Sequence, residues 1–212
     1  MTHVTVYFDP LCGWCYGATP TIRRLVAQPG LTVELVPTGL FAGAGARTMD
    51  DRMAAHAWTA DQRIAQLTGQ PFSERYRDQV LADRHTKLDS RPATIAVTAV
   101  ALADPARELD ALEAIQTARY VSGRDVTATA VLVDILDTLG LPAVAARIAT
   151  PDVALVAATE TRTTAARRAV HALGATGVPT LVVDGRLIAS DGLYGRFDDL
   201  IRQIQPLPET NA

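Results

Sequence analysis

Apolar and polar residues alternate over residues 4–8, which predicts a strand with one buried face. From residue 12 to about residue 28 the apolar positions recur at helical spacing, and Pro29 and Gly30 end the segment. Residues 31–36 are again short, apolar and rich in β-branched side chains, so they predict a second strand. These three segments therefore predict a βαβ unit at the start of the chain.

The hydrophobic period becomes helical between about residues 39 and 150, and no strand pattern interrupts it. We therefore predict an all-helical insert that contains at least three amphipathic helices. Their apolar stripes are Met49, Met53, Ala57, Ala60, Ile64 and Leu67 in the first, Leu109, Leu112 and Ile115 in the second, and Val131, Leu132, Ile135, Leu136 and Leu139 in the third.

A long helix is predicted to follow the insert. Thr150 is expected to cap it, Pro151 to take the first helical position, and Asp152 to supply an acidic residue in the first turn. Gly174 is expected to end it.

The last segment returns to strand patterns at residues 179–183 and 186–189, with Asp184 and Gly185 between them as a hairpin turn. A closing helix is predicted from about residue 192 to 205. The order β, α, β, helical insert, α, β, β, α resembles an α/β thioredoxin-like fold with an all-helical domain inserted after the first βαβ unit. The corresponding domains are residues 1–38 with 151–212 and residues 39–150.

Composition narrows the function classes. Among 212 residues 48% are hydrophobic and 20% charged, which suits a folded domain, and the net charge of −3 provides no basic surface for nucleic acid or an anionic membrane. No segment reaches the roughly 20 apolar residues that a membrane helix needs. The chain starts directly with a strand pattern and no secretion signal, so we expect a cytoplasmic protein, in which a cysteine pair is more often catalytic or metal-binding than a structural disulfide.

The candidate chemistry lies in the segment Cys12, Gly13, Trp14 and Cys15. The two sulfurs are three positions apart at a helix start, so they can share one side of the first turn and form a small disulfide. Unpaired N–H groups at a helix start favour a thiolate, which makes Cys12 the expected nucleophile. Cys15, one turn deeper, is the expected resolving thiol that attacks the mixed disulfide.

Two other interpretations of the cysteine pair compete with that of a redox-active dithiol. Inert buried cysteines are one, and half of a zinc site is the other. A structural zinc needs four ligands. The chain has only two cysteines, so we expect no metal. The four histidines do not complete a recognisable zinc motif and are read as ordinary residues: His3, His56, His85 and His171.

A second signal is the segment Gly177, Val178, Pro179 and Thr180, directly before a predicted strand. Proline cannot donate a hydrogen bond to the sheet, and a cis bond before it would expose the backbone of Val178 to a substrate strand. An ordinary trans proline at a strand start is the alternative.

The run from Tyr7 to Cys15 resembles the DsbA-like thiol-disulfide oxidoreductases, and in particular their cytosolic branch, often labelled predicted protein-disulfide isomerase. Residues 39–50, 68–72 and 120–126 also look like that branch. The resemblance implies a nucleophilic Cys12, a resolving Cys15 and a cis peptide between Val178 and Pro179 that faces the dithiol.

Two positions depart from the strongly oxidising periplasmic members of that family. Gly13 and Trp14 replace their Pro-His dipeptide, so no imidazole stabilises the thiolate. Val6 stands where those members carry a buried acid, which removes a proton relay through that position. Asp9 is nearer to the cysteines and is the other candidate for such a carboxylate, but we favour its interpretation as a turn or helix-entry residue.

Aromatic residues flank the two sulfurs. Trp14 is the candidate for substrate contact, whereas Tyr16 could be either contact surface or packing. Met49, Met53 and Trp58 follow helical spacing, so we assign them to the core of the insert.

The sequence favours disulfide exchange on protein or small-molecule thiols, with no cofactor beyond the dithiol. Glutathione is a possible co-substrate, and an unidentified reductant or oxidant must recycle the dithiol. One alternative is a glutathione-dependent transferase or isomerase of the kappa or hydroxychromene carboxylate isomerase type, which resembles the same fold but needs no second cysteine. Another is a redox-regulated binding module.

Overall fold

The computed structural model describes residues 1–205 of the chain. Within them a four-stranded sheet is combined with α-helices, which confirms the α/β thioredoxin-like fold. None of the described helices is both long and apolar enough to cross a bilayer. In chain order the elements are β1 (Thr2–Phe8), α1 (Gly13–Val26), β2 (Leu31–Pro37), β3 (Arg47–Thr48), α2 (Asp51–Thr68), α3 (Glu74–Tyr76), β4 (Lys87–Leu88), α4 (Arg91–Ala103), α5 (Glu108–Tyr120), α6 (Thr129–Thr138), α7 (Pro142–Ala149), α8 (Val153–Ala172), β5 (Thr180–Val183), β6 (Arg186–Ile188) and α9 (Phe197–Ile204).

The sheet has the strand order β2, β1, β5, β6, so β1 lies at its centre. Val4, Val6 and Phe8 of β1 are fully buried, as expected of a central strand. β2 runs parallel to β1 and β5 runs antiparallel to it, with Tyr7 opposite Thr180. Because β1 and β5 run in opposite directions, the end of β1 lies beside the start of β5. The segment after Phe8 and the segment before Thr180 are thereby brought together.

α1 follows β1 after a short turn and carries a proline inside it. Pro20 has no N–H, so the carbonyl of Tyr16 loses its usual helical partner. Gln70, from the loop after α2, donates through Nε2 to that carbonyl at 3.2 Å. This hydrogen bond replaces the missing helical one and links the loop after α2 to α1.

α1 and α2 pack closely because two glycines of α1 face α2. A Cβ on Gly17 would overlap the Cγ2 methyl of Ile64, and a Cβ on Gly13 would overlap the Oδ1 oxygen of Asp61. Ile64 is fully buried in this contact. The first turn of α1 is thus held directly against a helix of the insert.

The three helices predicted for the insert correspond to α2, α5 and α6. The insert is not wholly helical, however, because Arg47–Thr48 and Lys87–Leu88 form a two-residue antiparallel ribbon. Two residues are too few to show a period, so the sequence pattern could not reveal it. The helices α4 and α7 were not predicted separately. The division into two domains remains a prediction.

Thr150 was predicted to cap α8, and this is wrong. Asp152 is the cap, since its side chain accepts a hydrogen bond from the N–H of Leu155 at 2.6 Å and the helix begins at Val153. The hairpin between β5 and β6 is confirmed. Asp184 and Gly185 both have positive φ, 45° and 80°, as a two-residue hairpin turn requires. The closing helix begins at Phe197, after a short helical turn over Ser190–Leu193.

Candidate active site

The two cysteines lie where β1 passes into α1. The N–H of Cys12 donates to the carbonyl of Asp9 at 3.1 Å, which closes a turn and starts α1 at Gly13. Both cysteines are free thiols. Cys12 is 7% exposed and Cys15 is 1% exposed, so a reagent from solvent reaches Cys12 more readily.

Electrostatics separates the two thiols further. Burial raises the pKa of the Cys15 thiol well above its usual range, and the neighbouring Cys12 thiol adds to this rise. Cys15 is therefore held as a neutral thiol behind Cys12. This arrangement agrees with the predicted roles, although the roles themselves remain predictions.

The segment before β5 meets the dithiol from across the sheet. The peptide bond between Val178 and Pro179 is cis, as the family resemblance implied. The Cys12 thiol lies 3.6 Å from the carbonyl oxygen of Val178 and donates to it. Pro179 is buried, whereas Val178 is partly exposed. The predicted juxtaposition of this loop with Cys12 is therefore present.

A groove of about 520 Å³ runs along this loop. Val178, Pro179 and Tyr194 line it together with part of β6. Trp14 is half-buried and packs edge to face on Tyr194, with ring centroids 5.0 Å apart. Trp14 thus contacts one wall of the groove through Tyr194.

Tyr16 turns inward and belongs to the packing. It stacks on Tyr120 at 4.8 Å, and its hydroxyl donates to the carbonyl of Pro71. Tyr120 in turn donates to the carbonyl of Leu11, next to Cys12, at 2.7 Å. Phe72 packs against both rings. An aromatic cluster of the insert therefore holds the backbone that carries the nucleophile.

Asp9 was predicted to be a turn residue, but its side chain also forms hydrogen bonds with residues outside the turn. Its Oδ1 does accept from the N–H of Leu11, as a turn residue would. The side chain is fully buried, however, and its Oδ2 accepts from the Ser90 hydroxyl at 2.7 Å and from the N–H of Phe41 at 3.3 Å. Burial raises the pKa of Asp9, and its charge also raises the pKa of Cys15. The prediction that Asp9 serves only as a turn residue was therefore incomplete.

Asp61 on α2 is a second buried acid at the site, and sequence reasoning missed it. It is 4% exposed and accepts a hydrogen bond from the Tyr76 hydroxyl at 3.0 Å. Burial raises the pKa of Asp61 to about 7. Only the close approach of α2 to Gly13 brings it here, and no local motif marks that contact.

The remaining sequence candidates lie away from the dithiol. Met49 is buried, and Met53 and Trp58 pack against the core, which confirms their assignment to the core of the insert. His56 and His85 are exposed. Residues 1–205 contain no cluster of three or more His, Cys, Asp or Glu side chains suited to holding a metal ion.

Comparisons with known proteins agree with this geometry. The sequence model of a family described as DSBA-like thioredoxin domain matches residues 3–200. Among solved structures, the cytosolic disulfide reductase DsbM from Pseudomonas aeruginosa is 34% identical over 97% of this chain and 100% of its own, with a TM-score of 0.82. A structure of DsbM with GSH is 32% identical over 96% and 99%, with a TM-score of 0.79.

A 2-hydroxychromene-2-carboxylate isomerase is similar in fold alone. It is 19% identical over 95% of this chain and 97% of its own, with a TM-score of 0.64. No curated protein sequence matches the chain.

Proposed function

Because this chain belongs to the family of DSBA-like thioredoxin domains, which act as disulfide oxidoreductases or isomerases, we propose that it reduces disulfides through Cys12 and Cys15. The observation that carries the proposal is the placement of the Cys12 thiol. It lies 3.6 Å from the Val178 carbonyl, beside an open groove, with Cys15 buried behind it.

The reaction uses two exchanges. The Cys12 thiolate attacks one sulfur of the substrate disulfide, so that a Cys12 mixed disulfide forms and the other substrate sulfur leaves as a thiolate that takes a proton from water. Cys15 then loses its proton and attacks the Cys12 sulfur. The Cys12–Cys15 disulfide forms, the second substrate thiolate leaves, and two electrons have passed from protein to substrate.

Val178 supplies a backbone edge for an extended substrate. A peptide strand lying in the groove can pair with exposed main-chain groups before β5, which gives affinity with little dependence on sequence. Trp14 and Tyr194 provide an apolar wall for the residues that flank the substrate disulfide. Both protein and small peptide disulfides fit this description.

Two molecules of a small thiol return the protein to its dithiol form and leave as their own disulfide. We propose glutathione for this step, because a structure of the similar protein DsbM contains GSH. No cofactor beyond the dithiol is needed. A cytoplasmic location, where thiols are kept reduced, fits this cycle, and the similar protein DsbM is described as cytosolic.

The site favours electron donation over oxidation. An oxidant of this family type is strong when its reduced form is stabilised, chiefly as a thiolate. Here Gly13 and Trp14 provide no imidazole, and burial keeps Cys15 a neutral thiol by raising its pKa. The disulfide form is therefore not a strongly oxidising one.

An insulin-reduction assay with glutathione as the electron source tests the proposal. We expect turnover by the wild type, no turnover by Cys12→Ser, and a single stalled exchange by Cys15→Ser. Ala55→Ser on the exposed face of α2 is the matched control and should behave as the wild type. Full glutathione-dependent activity of Cys15→Ser would contradict the dithiol mechanism and favour a transferase, and binding of insulin without turnover would favour a binding module.

A further inference from the structure

Asp61 places a carboxylate at the start of α1, directly beside the dithiol. Its Oδ1 occupies the space that a side chain at Gly13 would need, and Gly13 is the residue that follows Cys12. Its Oδ2 is held by the Tyr76 hydroxyl. The same helix start, with its unpaired N–H groups, is what stabilises a thiolate on Cys12. The Asp61 carboxyl group and the Cys12 thiol therefore lie at the same helix end.

The surroundings of Asp61 leave its charge largely uncompensated. Arg119 is the nearest buried cation, and its guanidinium lies over the rings of Tyr76 and Tyr120, 5.5 and 5.6 Å from their centroids. Within residues 1–205 Asp61 forms no salt bridge, and Arg119 acts on it through charge attraction without a hydrogen bond. Burial raises the pKa of Tyr120, and the charges of Asp61 and Cys12 add to this rise, so Tyr120 lies near both groups.

We propose that Asp61 is a positioning residue that acts through Cys12. Its carboxylate repels the Cys12 thiolate across Gly13 and so lowers the reduction potential of the dithiol. This inference rests on the proposed function of the same site and explains its direction. The reduced protein carries the Cys12 thiolate, whereas the disulfide form does not. A negative charge beside Gly13 therefore destabilises the reduced form relative to the disulfide. A less stable reduced form gives up its electrons more readily.

The groups that could alter this coupling are few. The titratable groups around Asp61 and the dithiol are Asp9 and Cys12 before α1, Cys15 and Tyr16 in α1, Tyr76 in α3, Arg119 and Tyr120 in α5, and Tyr194 beside Trp14. The tyrosines stay neutral, since burial raises the pKa of each of them. Asp9 is the same in the wild type and in Asp61→Asn, so a difference between these two proteins reports the charge of Asp61.

The test is the equilibrium of the dithiol with a glutathione buffer at about pH 8, where the Asp61 carboxyl group, whose pKa burial raises to about 7, is ionised. In Asp61→Asn we expect the constant for oxidation by glutathione disulfide to fall about tenfold, which corresponds to a rise of ~30 mV in potential. Asp51→Asn on the exposed first turn of the same helix removes the same charge and should leave this constant unchanged. An unchanged potential in Asp61→Asn, or an equal shift in Asp51→Asn, would overturn the proposal.

A second measurement needs no variant. Carboxyl-carbon NMR of the wild type should show that Asp61 ionises at lower pH in the disulfide form than in the dithiol form, because coupling between two charges is reciprocal. Identical titration in both forms contradicts the proposal even if Asp61→Asn fails to fold. If the wild type shows this difference in Asp61 titration but does not reduce insulin, the result counts against the proposed function alone.

Discussion

The Cys12 thiol and the Val178 carbonyl are 3.6 Å apart, although 166 positions separate them in the chain. The antiparallel pairing of β1 with β5 accounts for this contact, because it brings the end of one strand to the start of the other. A disulfide formed on Cys12 would therefore project alongside the backbone of Val178. The nucleophile and the backbone edge that could hold its substrate form one surface.

The difference in burial predicts selective modification. In the reduced protein near neutral pH, iodoacetamide should alkylate Cys12 at least about tenfold faster than Cys15, because Cys15 is more buried and its pKa is raised. Peptide mass spectrometry after short exposures measures both rates. In guanidinium chloride the two rates should become similar. Equal rates in the native protein would show that Cys15 is as accessible as Cys12.

Asp9→Asn should separate a redox effect from a structural one. The carboxylate accepts from Leu11, Phe41 and Ser90, so its loss should cost about 1–3 kcal/mol of stability. Removing the charge should also ease ionisation of Cys15 and speed the second exchange. Ser90→Ala is the control, since it removes one hydrogen bond and leaves the carboxyl group in place. Stopped-flow resolution of a preformed mixed disulfide measures the effect, and equal rates in the two variants would argue against a role for the charge.

The close contact between α1 and α2 predicts a costly glycine. Gly17→Ala should destabilise the protein by about 1–3 kcal/mol, because the new methyl would overlap Ile64, which is fully buried. Gly177→Ala is the matched control, since no atom lies within 4 Å of its added Cβ. It should be neutral or slightly stabilising. Urea unfolding of both variants decides the matter, and equal losses would show that α1 and α2 are not tightly packed.

Stability should fall as pH rises from about 4 to about 7, in part because of Asp61. Burial raises the pKa of this carboxyl from 3.8 to about 7, so the native state prefers its protonated form while the unfolded chain ionises near pH 4. The favourable contribution is therefore complete below about pH 4 and is lost as pH rises to about 7. Each pH unit between these values corresponds to about 1.4 kcal/mol, which sets an upper limit of about 4 kcal/mol.

Denaturant unfolding of the wild type and Asp61→Asn over this range isolates the effect. The wild type should lose about 2 to 4 kcal/mol relative to the variant between about pH 4 and pH 8. Glu108, whose pKa burial also raises to about 7, is unchanged in both proteins and cancels in the difference. Parallel curves would mean that Asp61 is ionised in the native state with no penalty.

Local sequence signals were enough for the dithiol and for most of the sheet. Cys12 and Cys15 belong to one turn of helix, and the Asp184–Gly185 turn is set by its own two residues. The cis bond at Val178 followed from the family resemblance, since no local pattern distinguishes it from a trans bond.

The missed features depend on contacts between distant segments. Asp61 reaches the site only because Gly13 and Gly17 let α2 approach α1. Asp9 is buried by Phe41 and Ser90, which come from the loop after β2 and the start of α4. Neither contact leaves a period or motif in the sequence. The cap of α8 was misplaced by two residues because Thr150 and Asp152 are both good caps.

The most direct test of the mechanism is mass spectrometry of trapped mixed disulfides. After incubation with insulin or with glutathione disulfide, Cys15→Ser should carry a stable adduct on Cys12, because no second thiol remains to resolve it. Cys12→Ser should carry little or none, since the Cys15 thiol is buried and its pKa is raised well above the usual range. An adduct on Cys15 in Cys12→Ser, formed as fast as the adduct on Cys12 in Cys15→Ser, would contradict the assignment of Cys12 as the nucleophile.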